Sequence, residues 1–172
     1  AVWDEGGCEY RTSIYGGYKS ERSSMDDCYG EARSYLNEIL PEFKVASILM
    51  HGVEGDDIGY MLSRGINNSY LVSDDRDWMS MLKPGSILFR PTSKSSITWK
   101  DMVEGFGDNP IETYALYKSL RGDQSDSIPG INGIGEVKAK YIARAIMYGF
   151  NIPNSEMKLI YDNWDDGCKV CV

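Results

Sequence analysis

The sequence predicts an α/β domain built on a parallel sheet, followed by a helical extension. Three observations carry this. Short apolar runs of strand character alternate with helical patterns up to about Arg90. From Thr98 onward the periodicity is helical alone. Acidic clusters follow the ends of the first strands, where ligand sites lie in sheets of this kind.

Ala1 to Trp3 reads as the end of a buried strand, with Asp4 at its C-terminal edge. Residues 5–24, rich in Gly, Ser, Tyr and charge, read as a mobile segment. Asp26 and Asp27 cap a helix running to Phe43, whose apolar stripe holds Cys28, Ala32, Leu36, Ile39, Leu40 and Phe43. Strands are expected over Lys44–Met50, Tyr70–Ser73 and Ser86–Arg90, a short helix over Asp56–Arg64, and a helical turn over Asp77–Leu82. The later helices are expected over Thr98–Phe106, Ile111–Arg121 and Glu136–Tyr148, with another from Ser155. The expected division is a core of residues 1–108, including an arch-like segment 8–30, and a helical extension of residues 109–172.

The chain has 172 residues, 42% of them hydrophobic and 26% charged, enough for one sizeable core. No apolar run reaches the roughly 20 residues of a membrane span, and the start has no basic or apolar leader. With no initiator Met, the natural N-terminus is expected upstream. Cys8, Cys28, Cys168 and Cys171 read as reduced thiols of an intracellular protein; only the last two are closely spaced, without a second pair to complete a zinc site. A net charge of −8 argues against a nucleic-acid partner until its distribution is considered. The acidic residues are clustered, as in a pocket neutralised by bound cations.

Four carboxylate groups stand out: Asp4, then Glu54-Gly55-Asp56-Asp57, then Asp74-Asp75-Arg76-Asp77, and Asp123-Gln124-Ser125-Asp126. Residues three apart share a helix face, so Glu54 with Asp57, or Asp123 with Asp126, converge if helical. Hard oxygen ligands in this number suit Mg²⁺ or Mn²⁺, completed by substrate phosphate. Two such ions activate a water and stabilise a leaving oxygen. Each cluster alone reads as a helix cap or solvated turn before it reads as a metal site; three in succession, each after a strand end, favour metal.

Gly130, Gly133 and Gly135 precede a helix carrying Lys138, Lys140 and Arg144. Such glycines let backbone approach a ligand, and a helix start holds phosphate. Arg11, Lys19, Arg22 and Arg33 are interleaved with Tyr10, Tyr15 and Tyr18, a pattern that suits single-stranded nucleic acid or a solvated loop. Lys118 and Arg121 precede the Asp123 loop, either to contact a phosphate or to lie on a helix surface. His51 is expected to be structural, and the four tryptophans to cover the core.

These motifs resemble the 5′-nuclease (flap endonuclease) superfamily, in its bacterial and phage exonuclease branch. Gly52-Val53-Glu54-Gly55-Asp56-Asp57 is similar to the family's Gly-Val-Glu-Ala-Asp-Asp. Ser73-Asp74-Asp75-Arg76-Asp77-Trp78 is similar to Ser-Thr-Asp-Gly-Asp-Trp. The run from Gly122 to Gly130 resembles Gly-Asp-x-x-Asp-Asn-Ile-Pro-Gly. Val2-Trp3-Asp4 resembles Val-Phe-Asp-Gly, and Tyr18-Lys19-Ser20-Glu21-Arg22 the arch motif Tyr-Lys-x-x-Arg. The resemblance implies a PIN-like core with a helix–three-turn–helix extension and a two-metal cut of DNA that leaves 5′-phosphate and 3′-hydroxyl. It implies Asp4, Glu54 and Asp56 at one ion, Asp57 in support, and Asp75, Asp77, Asp123 and Asp126 at the second. Lys19, Arg22 and Lys118 would act on the phosphate. Arg121, Gly133, Gly135, Lys138 and Lys140 would grip duplex, with K⁺ at that element. Expected partners are flap, branched or 5′-ended DNA, an RNA–DNA hybrid, and a polymerase or other replication protein meeting a cytoplasmic monomer, with residues 150–172 open to such a contact. The family's Asp-bearing first strand has no counterpart ahead of Asp4. That implies a fragment, a strand supplied by another polypeptide, or a branched-DNA-binding module without cleavage.

Overall fold

The computed structural model describes residues 1–4, 8–21 and 27–164, with only the backbone at Asp27. Strand β1 (Val2–Trp3) pairs in parallel with β2 (Ile48–Leu49). Strand β3 (Tyr70–Val72) pairs in parallel with β4 (Ile87–Arg90), which continues antiparallel to β5 (Ser95–Thr98). A groove of about 690 Å³ separates β1 from β3, lined by Val2, Leu62, Ile66, Leu71 and Trp78. The parallel pairing is as expected, but the described strands form separate ladders rather than one sheet.

Helix α1 (Glu9–Ile14) lies in the segment expected to be mobile. The turn after it is anchored: Tyr18 and Cys8 are buried against Ile128, and the Lys19 N–H donates to the Asp126 carbonyl at 2.8 Å. Helix α2 (Asp27–Ile39) gives way to a 3-10 turn over Leu40–Phe43, because Pro41 has no N–H for an α-helical bond. Lys44, at φ 58°, closes that turn with N–H bonds to the carbonyls of Leu40 and Pro41. The following chain straightens only at Ile48, so β2 is shorter than Lys44–Met50.

Helix α3 (Gly55–Gly65) follows, and then a 3-10 turn over Arg76–Met81. Helix α4 (Trp99–Phe106) starts from a capping box: Asp101 accepts the Thr98 N–H at 2.7 Å while Thr98 Oγ1 accepts the Asp101 N–H. Helix α5 (Pro110–Arg121) is the spine. Its Tyr114 and Tyr117 rings meet Phe106, and Leu120 is fully enclosed.

Two short strands, β6 (Gly122–Asp123) and β7 (Ile128–Pro129), pair antiparallel before α6 (Glu136–Tyr148) and α7 (Asn154–Asn163). One core runs from Leu71, Leu82 and Leu88 through Met102 and Leu120 to Ile142 and Ala143, so it crosses the expected boundary at residue 108. Each large apolar side chain enclosed there contributes about 2 kcal/mol by the area it removes from water. Among the described residues no helix is long and apolar enough to cross a membrane.

Candidate metal centre and nucleic-acid interface

Glu54 occupies the N-cap position of α3 and is 3% exposed. Asp56 and Asp57 fill the first turn, where the helix dipole favours negative charge. Oxygens of these three carboxylates all lie within 4.8 Å of one another, a grouping able to hold a cation. Burial, then Asp57 and Glu54, push the Asp56 carboxyl up to about 6. Asp4 stands outside this grouping; its carboxylate accepts the Gly55 N–H at 2.5 Å and so fixes the start of α3. A Cβ at Gly55 would meet that carboxylate at 3.0 Å and the Trp3 backbone at 3.3 Å.

A second grouping, also within 4.8 Å, joins Asp77, Asp123 and Asp126. Asp77 rides on the 3-10 turn, and α5 is tied to that turn by the Tyr114 hydroxyl, which donates to the Arg76 carbonyl at 3.1 Å. Asp75 stands outside this grouping and caps the turn instead, accepting the Asp77 N–H at 2.9 Å. Lys118, from the last turn of α5, donates to Asp77 at 2.6 Å and also to Asp123. Burial pushes the Asp77 carboxyl up, against the opposing charge of Lys118. For Asp123 burial acts the same way, but hydrogen bonds from Lys118 and Ser125 outweigh it and hold the carboxyl below its ordinary value.

Both groupings open on one cleft of about 380 Å³, to which Asp56, Asp57, Asp77, Asp123 and Asp126 contribute. Arg11 and Tyr18 line it on the N-terminal side, with Lys19 next to them on Glu54. Lys19 Nζ donates to Glu54 Oε1 at 2.6 Å, and the Tyr18 hydroxyl to Glu54 Oε2 at 2.9 Å. Arg11 donates to both oxygens of Asp57 at 2.7 and 2.9 Å. Burial, then Asp126 and Glu54, push the Tyr18 phenol far up, so it stays a donor. The contacts of Arg11 and Tyr18 with carboxylates carry no sequence signal, since no spacing links them to residues 54–57. Arg22, Cys168 and Cys171 lie outside the described residues.

The glycine loop divides. Gly130 does not serve ligand approach: a Cβ there would stand 1.8 Å from the Arg121 carbonyl oxygen, and one at Gly122 would stand 2.2 Å from the Gly130 nitrogen. These glycines let β6 and β7 cross closely behind the second carboxylate grouping. Gly133, at φ 85°, and Gly135, the N-cap position of α6, are exposed; a Cβ at Gly135 would meet open space, and one at Gly133 only the Leu159 side chain at 3.7 Å. Lys138 is exposed beyond them, 3.8 Å from Glu156. Lys140 faces elsewhere, its Nζ 4.8 Å from the centre of the Phe106 ring, because residues two apart on a helix point to opposite sides. Arg121 is exposed at the end of α5.

The fold and its paired acidic groupings define a class, the 5′-nuclease superfamily. Within it the chain belongs to the 5′-3′ exonuclease family, matching the N-terminal, resolvase-like domain over residues 1–107. It is 34% identical over 144 residues to DNA polymerase I of Synechocystis sp., covering 76% of this chain and 14% of the polymerase. To DNA polymerase I of Caldicellulosiruptor bescii it is 32% identical, over 95% of this chain and 19% of the polymerase. To a 5′-3′ exonuclease of Buchnera aphidicola it is 26% identical, over 92% of this chain and 56% of that protein. It thus spans just over half of that exonuclease and under a fifth of the polymerases. Among solved structures, the fold matches the 5′-exonuclease of bacteriophage T5 with zinc ions bound, at a TM-score of 0.72 and 22% identity, covering 98% of this chain and 69% of that one. It also matches the T5 flap endonuclease in a pseudo-enzyme-product complex with DNA and metal ions, at a TM-score of 0.67 and 22% identity, covering 98% of this chain and 73% of that one.

Proposed function

We propose that the chain is the metal-binding domain of a structure-selective 5′ nuclease that hydrolyses DNA near 5′ ends and flaps, leaving 5′-phosphate and 3′-hydroxyl. The observation that carries this reading is the opening of two three-carboxylate groupings on one cleft. Their donors are all hard oxygens, which fit Mg²⁺ or Mn²⁺. Glu54, Asp56 and Asp57 would hold one ion, and Asp77, Asp123 and Asp126 the other. Asp4 and Asp75 flank the two sets and fix the helix starts that carry them. Bound there, divalent ions supply an activated water and a counter-charge for the leaving oxygen.

The chain's own side chains do the rest. Lys118 draws Asp77 and Asp123 together and adds positive charge beside the place where a phosphate would sit. Lys19, with Arg22 beyond it, would steer and stabilise the phosphate from the N-terminal side. The open backbone at Gly133 and Gly135, with Lys138 and Arg121, would receive duplex phosphates, with K⁺ at the same turn and Lys140 outside that contact. An RNA–DNA hybrid fits the same backbone contacts, and the polymerase relatives support a replication partner.

Cleavage of a 5′-labelled flap DNA with Mg²⁺ or Mn²⁺, against an EDTA control, tests the proposal. Metal-dependent release of short 5′ products supports it. Salt-sensitive flap binding without cleavage would reduce the chain to a branched-DNA-binding module.

A further inference from the structure

The grouping at the start of α3 is already filled by the protein's own cations. The Arg11 guanidinium takes both oxygens of Asp57 in a forked pair, with Nη1 also 3.1 Å from Glu54 Oε2. The Lys19 ammonium takes Glu54 Oε1. All four oxygens of Glu54 and Asp57 therefore accept from protein donors. Three carboxylates against two cations leave one net negative charge in the grouping. An ion that needs these oxygens as ligands must take them from Arg11 and Lys19.

The donors and the acceptors belong to different parts of the chain. Glu54 and Asp57 are fixed by the start of α3, whereas Arg11 sits on α1, a six-residue helix with no buried residue. The segment is held at its ends: Cys8 and Tyr18 are buried against Ile128, and Lys19 is bonded to the Asp126 backbone. Between those anchors, the forked pair to Asp57 and its branch to Glu54 bind α1 to the body.

We propose that Arg11 is a built-in counter-cation of the Glu54–Asp57 grouping, positioned to keep its carboxylates together and displaced by a divalent ion that binds there. The inference rests on the metal-site reading above and adds its consequence for the chain. Metal occupancy and Arg11 occupancy exclude each other, so binding of the ion releases α1 from α3. Arg11 is thus a positioning residue, and removing it favours the ion. A lysine at the same place keeps the charge but loses the fork, and so competes less well.

The test is calorimetric titration of Mn²⁺, without DNA, into the wild-type chain, Arg11→Gln and Arg11→Lys. Arg11→Gln is expected to bind Mn²⁺ more tightly than wild type by roughly fivefold or more, a coupling typical of two linked occupancies, with Arg11→Lys between them. Equal or weaker binding by a folded Arg11→Gln overturns the proposal and leaves the metal site standing. Absence of Mn²⁺ binding in every variant brings down the metal-site reading and this inference with it. Should Arg11→Gln not fold, hydrogen exchange of the wild-type chain decides. Loss of amide protection over residues 9–14 at saturating Mn²⁺ supports displacement, and unchanged or increased protection overturns it.

Discussion

The ammonium of Lys118 donates to the Asp77 carboxylate at 2.6 Å, joining α5 to the 3-10 turn in the lining of the cleft. It also reaches Asp123, so one cation holds two carboxylates that would otherwise repel. Opposing charges outweigh the burial of the lysine and raise its affinity for the proton, so it stays charged. Replacing Lys118 by Met removes the shared partner of a largely buried pair. The expected cost is about 3 kcal/mol, the low end for such pairs because Asp77 keeps some contact with water. Thermal melts check it: Lys118→Met melts well below wild type in EDTA, and Mn²⁺ recovers more of the loss than it adds to wild type. An equal metal effect on both proteins would mean that the lysine does not share its place with a cation.

Asp123 presents the second grouping with a carboxylate held below its ordinary range, so it is ionised wherever the protein is folded near neutral pH. Asp123→Asn keeps the side chain's size and its place beside Ser125 but removes the charge. Flap cleavage should fall by about a hundredfold or more, near 3 kcal/mol of barrier, while flap binding stays within a few-fold of wild type. Parallel cleavage and binding assays separate the two quantities. Undiminished cleavage would remove Asp123 from the metal set.

Asp56 gives the first grouping a pH dependence. Its carboxyl is raised to about 6, against about 4 in an unfolded chain, so the folded protein binds this proton more tightly. The stability that this proton gives the metal-free fold is complete below about pH 4 and is lost as pH rises through about 6. A metal ion works in the opposite sense, because it needs the carboxylate. Mn²⁺ affinity is therefore expected to fall as pH drops through about 6, with proton release accompanying binding near that pH. Calorimetry in two buffers of different ionisation enthalpy measures the release. Binding without proton uptake or release across that window would take Asp56 out of the site.

How far the sequence discloses this protein depends on how local each signal is. Helix α6 lies over Glu136–Tyr148 as its periodicity predicts, and α4 and α5 start within a residue of expectation, since Thr98 and Pro110 are local start signals. Strand β5, which no expectation included, is Ser-Ser-Ile-Thr, too polar to stand out; it exists because it pairs with β4. The acidic motifs mark their clusters, yet the meeting of Asp77 with Asp123 is set by α5, through Tyr114 on the Arg76 carbonyl and Lys118 between the two carboxylates. Arg11 was legible only as one basic residue beside aromatic ones. Its bond to Asp57, 46 positions away, is a tertiary fact with no pattern in the chain. The glycines at 122 and 130 were visible as glycines, but whether backbone or ligand approaches them is decided by the crossing of β6 and β7.

Lys138 and Lys140 separate two explanations of nucleic-acid affinity that the sequence leaves joined. On α6 they point to different sides: Lys138 into solvent near the exposed Gly135, and Lys140 onto the ring of Phe106. Lys138 is exposed, and its long 3.8 Å approach to the half-buried Glu156 is a weak contact that a phosphate displaces at little cost. If the loop and the start of α6 receive duplex, Lys138→Ala loses one phosphate contact, and the slope of log affinity against log salt shrinks by about 0.9. Lys140→Ala leaves that slope unchanged and shows instead as a small drop in melting temperature, from the lost contact with Phe106. Binding of a flap duplex, titrated over a range of salt for both variants, gives the two slopes. Equal shrinkage for both lysines would mean that Lys140 leaves Phe106 to meet the backbone, and shrinkage for neither would move the duplex off α6.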